Sequence, residues 1–387
     1  MGLLQLDFDS EVISAEELAD QVAPLVANAP VVSPPPPDHD LPLASVVVPS
    51  MLAREDDLRD CLHALSALDY PRYEVLLIDN RSVDAGNAPR WLSEYPRARL
   101  ISAPRPGISE ARNAGLSVAS GDFVAFTDDD AVVDSGWLKV IASRFARHPE
   151  EVCVCGIAMP RELETPAQLR LEVFTGGFGP RFYSPATRRL LGDSMRSRIR
   201  RPQVGELDDI GRLRRIFPLY RASTFGAGVN MAFRTEALRA IGGFDPLLGT
   251  GTPTMAGEDH KAFIQLVWRG ESVGFEPAAL VFHTHRRDDD ALRRQILGWG
   301  TGIGAMFCAA VLDDPRHLLA LAATVPHFVG VSARSYASRR TLKSSGPAQG
   351  DDLLRELARL ELRGVVTGPA IYLWSRIAAR RRRAKSL

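Results

Sequence analysis

The run Phe123-Val124-Ala125-Phe126-Thr127-Asp128-Asp129-Asp130 sets a short apolar stretch directly against three carboxylates. The apolar part reads as a buried strand, and like charges crowded at its end would cost several kcal/mol unless something offsets them. Hard divalent ions such as Mg²⁺ and Mn²⁺ take oxygen ligands, commonly one or two carboxylates together with substrate phosphates. Open α/β sheets bind their ligands beyond the carboxyl ends of the strands. Asp128, Asp129 and Asp130 are therefore a candidate metal and nucleotide site. The plainer alternative is a solvated turn that caps the next helix.

Outward from this run, strands alternate with helices. Ser45-Val46-Val47-Val48 is a short apolar run followed by a helical pattern over 55–68, and Tyr73 to Asp79 is a second strand closed by Asn80. A weaker strand covers Arg99 to Ser102, a turn covers Pro104 to Gly107, and a helix covers Ser109 to Ala119. The strand over 122–127 and another from Val152 to Ala158 complete the pattern. Continuous apolar strands separated by helices predict an α/β fold whose mostly parallel central sheet is covered on both faces. Pro49-Ser50, Asp79-Asn80 and the three aspartates then all end strands on one edge, which favours a site over a turn. The stretch from Thr175 to Arg221 is rich in Arg, Gly and Pro without a period, and its length suggests a functional loop or lid. The small residues of Phe225-Gly226-Ala227-Gly228-Val229-Asn230 would let a ligand approach the backbone. Gly257-Glu258-Asp259-His260 precedes a helix that stops at Gly270, and a last strand, Ala279 to Phe282, runs into His283-Thr284-His285.

Composition narrows the class. A chain of 387 residues can bury one large or two modest cores, and 45% hydrophobic with 24% charged residues is ordinary for a globular protein. A formal net charge of zero gives no general attraction to nucleic acid. Charge is uneven, however: Arg376, Arg380, Arg381, Arg382, Arg383 and Lys385 make a basic tail without acids. The four cysteines have no framework spacing, and Cys153 and Cys155 share one face of a strand, as buried thiols of a reducing cytosol would. No basic start followed by an apolar run opens the chain, so no signal peptide is expected. Residues 1–43 look like an appendage, with a capping-box pattern at Ser14 and Glu17 ahead of an amphipathic segment over 15–27. A stiff linker follows at Pro34-Pro35-Pro36-Pro37. Ile296 to Leu312 is seventeen residues without a charge but carries four glycines, marginal for a membrane span. A helix that is buried, or that lies in the interface beside anionic lipid, fits better. The expected location is cytoplasmic, with peripheral contact at the inner face of the cell membrane.

Several residues carry chemistry, each with a bland alternative. Asp259 is either a helix cap or a general base near a cleft, with Glu258 as its neighbour. His283 and His285 alternate on one side of an extended segment and could join carboxylates on one metal, or be surface residues. Arg112 could pair with phosphate, or be an exposed helical arginine. Trp299 shares a helical face with Gln295 and is a core aromatic by default, or a wall for a sugar ring.

In order, Val46-Val47-Val48-Pro49, Ile78-Asp79-Asn80, Pro106-Gly107-Ile108-Ser109-Glu110-Ala111-Arg112-Asn113, Thr127-Asp128-Asp129-Asp130, Gly242-Gly243-Phe244-Asp245 and Gly257-Glu258-Asp259 resemble a family 2 glycosyltransferase. Leu163-Glu164-Thr165-Pro166-Ala167-Gln168 and Gly176-Gly177-Phe178 place the resemblance nearest a bacterial branch. It implies a single nucleotide-sugar-binding, Rossmann-like domain of the GT-A type over 44–305, preceded by the 1–43 appendage and followed by a C-terminal helical region over 306–387. It also implies inverting sugar transfer assisted by a divalent metal, Mn²⁺ or Mg²⁺. The donor would be a nucleoside-diphosphate sugar, and the acceptor a glycan, a lipid-linked molecule or a small molecule. Carried over by residue, Pro49 and Asp79 hold the nucleoside base, Asp128, Asp129 and Asp130 meet ribose and metal, and Asp259 deprotonates the acceptor. His283 or His285 supplies a further metal ligand. Ser50-Met51-Leu52-Ala53-Arg54 departs from the family's usual turn after the first strand. Gln295-Ile296-Leu297-Gly298-Trp299 lacks the arginine of processive members, which argues against processive synthesis. A nucleotidyltransferase is the rival enzyme, although the turn after the first strand has no glycine to cradle phosphate. A non-catalytic binding module is the other rival, opposed by the intact carboxylates.

Overall fold

Every residue of β1 (Ala44–Ser50) is buried, because β2 (Tyr73–Asp79) and β4 (Phe123–Phe126) flank it in parallel and helices cover both faces. Its side chains alternate accordingly. Val47 joins one apolar cluster, with Leu76, Ile78 and Phe126, while Val46 and Val48 join the cluster on the other face. The structure, a computed structural model, describes residues 37–81, 87–177, 183–192, 194–324 and 349–385, with isolated positions 14, 15, 19 and 23. The expected helix over 15–27, apart from those positions, the linker residues Pro34, Pro35 and Pro36, and Phe178 lie outside the described residues.

The remaining strands are β3 (Ala98–Ser102), β5 (Ala131–Val133), β6 (Glu151–Pro160), β7 (Ala186–Leu190), β8 (Gln203–Leu207), β9 (Leu213–Pro218), β10 (Met231–Arg234) and β11 (Ser272–His283). They form one sheet in the order β3-β2-β1-β4-β10-β6-β11-β7-β8-β9, with β5 paired to β11. From β3 to β11 only β10 runs against the others, so the central sheet is mostly parallel. On one face lie α1 (Glu55–Ser66) and α3 (Trp137–Arg147). In α1, Leu58, Cys61, Leu62 and Leu65 recur at helical spacing and are buried. The other face carries α2 (Ile108–Val118), α6 (Thr235–Ala240) and α7 (Glu258–Arg269).

Two expectations are corrected. The stretch over 175–221 is not an irregular loop: its described residues include β7, the short helix α5 (Met195–Arg200), β8 and β9, an antiparallel extension of the sheet. Arginines hide its period. Arg188 is fully buried in β7, where Glu206 accepts its Nε–H at 2.9 Å and the Phe225 carbonyl accepts at 3.0 Å. The last strand also begins at Ser272 rather than Ala279, because a register irregularity between Phe275 and Leu280, spanning Glu276 and Pro277, breaks the apolar pattern.

The C-terminal region is not separable at 305. Helix α8 (Asp289–Asp313) runs unbroken across that position, and its Ala305, Met306 and Ala309 belong to the main core. Helix α9 (Gln349–Lys385) lies along it at close range. A β-carbon on Gly300 would come 2.1 Å from the Glu361 carbonyl oxygen, and one on Gly368 would come 2.2 Å from that of Thr301. By length and composition α8 could cross a membrane, yet 56% of its most apolar window is buried within the protein.

Candidate active site

The aspartates follow β4 and lie beyond the carboxyl ends of β1 and β2, where Ser50 pairs with Asp79. Asp128 and Asp130 are gathered with His283, the last residue of β11, such that one potential ligand atom from each lies within 4.8 Å of the others. Asp130 is 4% exposed and His283 6% exposed, so these charges are held away from bulk water. Asp129 and His285, the alternative imidazole, turn elsewhere. Asp129 turns to Ser50, whose hydroxyl donates to it at 2.6 Å. His285 turns to Glu172 at 2.8 Å. A donor set of two carboxylates and one imidazole suits a small divalent cation such as Mn²⁺.

Electrostatics act differently on the three: burial raises the Asp128 pKa against the pull of Arg112. Burial alone would raise the Asp130 pKa, but His283 and Arg54 outweigh it and hold the carboxyl well below its usual range. Burial alone would depress His283, and the Asp130 and Asp128 carboxylates instead hold the imidazole above its ordinary value. Arg54 was not among the expected site residues. It donates to Asp130 Oδ2 at 2.7 Å and to Asp129 Oδ1 at 3.0 Å, while His283 Nε2 faces Asp130 Oδ1 at 3.4 Å. Leu52, in the same turn, has a φ of +49°, a conformation that side-chain-bearing residues adopt at a cost.

Arg112 is not the exposed helical arginine of the plainer alternative. Its side chain is 1% exposed and spent on the protein: Nη1 donates to Glu258 at 2.7 Å, and Nη2 to Asp128 at 3.1 Å and to the Gly228 carbonyl at 3.2 Å. Both Nη atoms are thus held by protein acceptors, while the guanidinium still borders the cleft. Arg112→Ala should therefore destabilise the fold by about 3–5 kcal/mol in denaturant unfolding, because the buried Glu258 and the partly buried Asp128 lose their counter-charge. Arg112→Lys should be intermediate, since an ammonium does not reproduce the fork. A loss under about 1 kcal/mol for the alanine variant would contradict this.

Asp259 sits at the second position of α7 and not at its cap, which is Gly257 at a φ of +96°. A side chain at 257 would also meet the Gly302 carbonyl oxygen at 2.6 Å, so that turn is reserved for glycine. The Asp259 carboxylate accepts from Gly228 N–H at 2.8 Å and from His260 N–H at 2.7 Å. A β-carbon on Gly228 would lie 2.8 Å from Arg112 Nη2 and 3.2 Å from Asp259 Oδ2, so a residue without one lets the two sides meet. Next to Asp259, burial and that neighbouring carboxylate push Glu258 up to about 7, against the pull of Arg112.

These groups face a cleft of about 660 Å³, lined by Arg112, Asp128, Glu258, Asp259, Trp299 and Phe174 among others. Asp128 is shared between the cleft and the trio. Met255, which also lines the cleft, has a φ of +65°. Pro49 and Asp79 lie at the neighbouring strand ends, and Asp79 accepts from Arg81 at 2.8 and 2.9 Å. Asn80 ties down the following loop by donating to the carbonyls of Ala103 and Arg105 and accepting from Gly107 N–H.

The chain is 25% identical over 281 residues to "Pre-mycofactocin glycosyltransferase" from Mycobacterium tuberculosis, covering 72% of this chain and 50% of that protein. "Uncharacterized glycosyltransferase YibD" from Escherichia coli is 36% identical over 88 residues, 22% of this chain and 25% of that one. The chain thus spans half or less of the length of these relatives. Among solved structures, mannosyltransferase PcManGT from Pyrobaculum calidifontis, in complex with GDP-Man and Mn²⁺, aligns over 93% of both chains at 19% identity with a TM-score of 0.49. The family described as "Glycosyl transferase family 2" matches residues 45–242, just over half of the sequence. On that match, the chain belongs to glycosyl transferase family 2.

Proposed function

We propose that the chain transfers a sugar, with inversion, from a nucleoside-diphosphate sugar to an acceptor hydroxyl. The observation that carries this reading is the Arg112 bridge. One guanidinium joins Asp128 of the trio to Glu258 beside Asp259, so leaving-group and acceptor chemistry share one cleft. Asp128, Asp130 and His283 would hold a divalent cation, which when bound offsets charge growing on the departing diphosphate. Pro49 and Asp79 flank the nucleoside base, and Asp129 the ribose. On the opposite side Asp259 takes the acceptor proton as the acceptor oxygen bonds to the anomeric carbon and the sugar–phosphate bond breaks. Asp259 is oriented for this by two backbone N–H groups, and Glu258 is a positioning residue occupied by Arg112. Trp299 offers a ring face for the sugar or acceptor.

Transfer is proposed to be non-processive. Gly298 stands where processive members carry arginine, and a β-carbon there would already lie 3.1 Å from Met255. A panel of nucleoside-diphosphate sugars incubated with Mn²⁺ tests the function. Release of nucleoside diphosphate from one donor class supports it. Transfer of a nucleotidyl group instead would establish the rival enzyme, and binding without turnover, with or without acceptors, the binding module.

Peripheral membrane contact is also proposed. Leu362, Val366, Leu373, Trp374 and Ile377 are exposed along one side of α9, just before Arg380, Arg381 and the rest of the basic tail. An apolar stripe ending in arginines suits an anionic lipid surface, where each basic residue contributes roughly 1 kcal/mol. Deleting residues 376–387 should lower co-sedimentation with vesicles containing anionic lipid, most clearly at low salt. Unchanged sedimentation would remove the tail from consideration.

A further inference from the structure

The segment Leu163-Glu164-Thr165-Pro166-Ala167-Gln168 opens α4 (Pro166–Thr175), which lies against the strand end carrying His283 and His285. Thr165 caps the helix, its hydroxyl accepting from Gln168 N–H while Gln168 Oε1 accepts from Thr165 N–H at 3.0 Å. A cap alone needs no more. Gln168 is nevertheless fully buried, and its Nε2 donates to Glu162 at 2.7 Å and to the His285 carbonyl at 3.4 Å. One helical turn on, Glu172 Oε1 meets His285 Nε2 at 2.8 Å. His285 Nδ1 in turn lies 3.1 Å from His283 Nδ1. His283 keeps its other nitrogen, Nε2, toward Asp130.

We infer that Glu172 and His285 are positioning residues for the cation site, a relay that orients His283 and fixes which of its nitrogens carries the proton. The inference rests on the proposed cation reading of the Asp128, Asp130 and His283 trio. Its logic is a matter of hydrogen-bond polarity. An imidazole that presents Nε2 as a ligand must carry its proton on Nδ1. That proton is donated to His285 Nδ1, which is then an acceptor, so His285 carries its own proton on Nε2. Glu172 has only acceptors when ionised and takes that proton's hydrogen bond. Reversing any member would set two donors or two acceptors against each other. Carboxylate–histidine support of this kind typically contributes about 10- to 100-fold in metal affinity. The role also gives the threonine-capped helix a function, because the cap and Gln168 set where Glu172 stands.

The test is Mn²⁺ binding to the full chain, by calorimetry and by pulsed electron paramagnetic resonance that detects the ¹⁴N coupling of a ligating imidazole. Glu172→Ala and His285→Ala should each bind Mn²⁺ about 10- to 100-fold more weakly, with the ¹⁴N coupling diminished or heterogeneous. Glu172→Gln keeps an acceptor of the same reach and should recover most of the affinity, which a merely structural role for the carboxylate would not require. It also serves if an alanine variant fails to fold. Binding within twofold of wild type in Glu172→Ala, with unchanged coupling, overturns the relay while leaving the site intact. A wild-type protein that binds Mn²⁺ without ¹⁴N coupling, or does not bind it, overturns the cation reading itself.

Discussion

Asp259→Asn is expected to lower the rate of sugar transfer by about 10² or more while leaving donor binding within a few-fold of wild type. The amide keeps the shape of the carboxylate and one oxygen for the Gly228 N–H, which donates to Asp259 Oδ2 at 2.8 Å. It cannot take a proton from an acceptor. Because Asp259 is separate from the trio that would meet the diphosphate, its loss should appear in turnover and not in donor affinity. Glu258 is the competing base, and its environment speaks against it. Burial pushes its pKa up to about 7, an attractive value for proton transfer, but its Oε1 is held at 2.7 Å by a guanidinium that is itself 1% exposed. Freeing that carboxylate would strand Arg112 and Asp128. Titrating single-turnover rates in Asp259→Asn and Glu258→Gln separates the two: near wild-type transfer in the asparagine variant would move the base to Glu258.

What the sequence revealed of this site follows from where the partners lie. The strand Tyr73–Asp79 could be read residue for residue because both of its faces are buried and its apolar run is continuous. Asp128 and Asp130 stood out because charge interrupts such a run. β10 did not, since four residues between a small-residue turn and a helix carry too little period to register. Arg54 and Glu172 were invisible for a different reason. Arg54 meets Asp130 across 76 positions of sequence and Glu172 meets His285 across 113. Neither pairing leaves a local pattern. Arg112 was visible but misread: helical spacing cannot distinguish an exposed arginine from one buried by residues 116 and 146 positions away.

Removing the cation, or a ligand for it, should cost more than any other change outside Asp259. A metal at a departing phosphate supplies several kcal/mol of transition-state charge stabilisation, and each 1.36 kcal/mol is tenfold in rate. Stripping with chelator should therefore lower nucleotide-sugar turnover by about 10²–10³, with recovery on adding Mn²⁺ or Mg²⁺. Asp130→Ala should match that loss and should not be rescued by the same concentrations. The geometry explains why the site tolerates its carboxylates without collapsing when no cation is present. Arg54 takes Oδ2 of Asp130, whose Oδ1 faces His283 Nε2, and Arg112 takes Oδ1 of Asp128, so both carboxylates are partly neutralised. Arg54 and His283 also hold Asp130 well below the ordinary carboxylate range, opposing its burial, so this ligand stays ionised at any pH where transfer would be measured. Loss of a ligand to protonation in acid would therefore fall on His283, which the neighbouring carboxylates hold above its ordinary value, or on Asp128, which burial raises, and not on Asp130. Full turnover in excess chelator, after stripping confirmed by elemental analysis, would overturn the cation reading and leave the leaving-group charge to the chain's own cations, Arg54 and His283 among them.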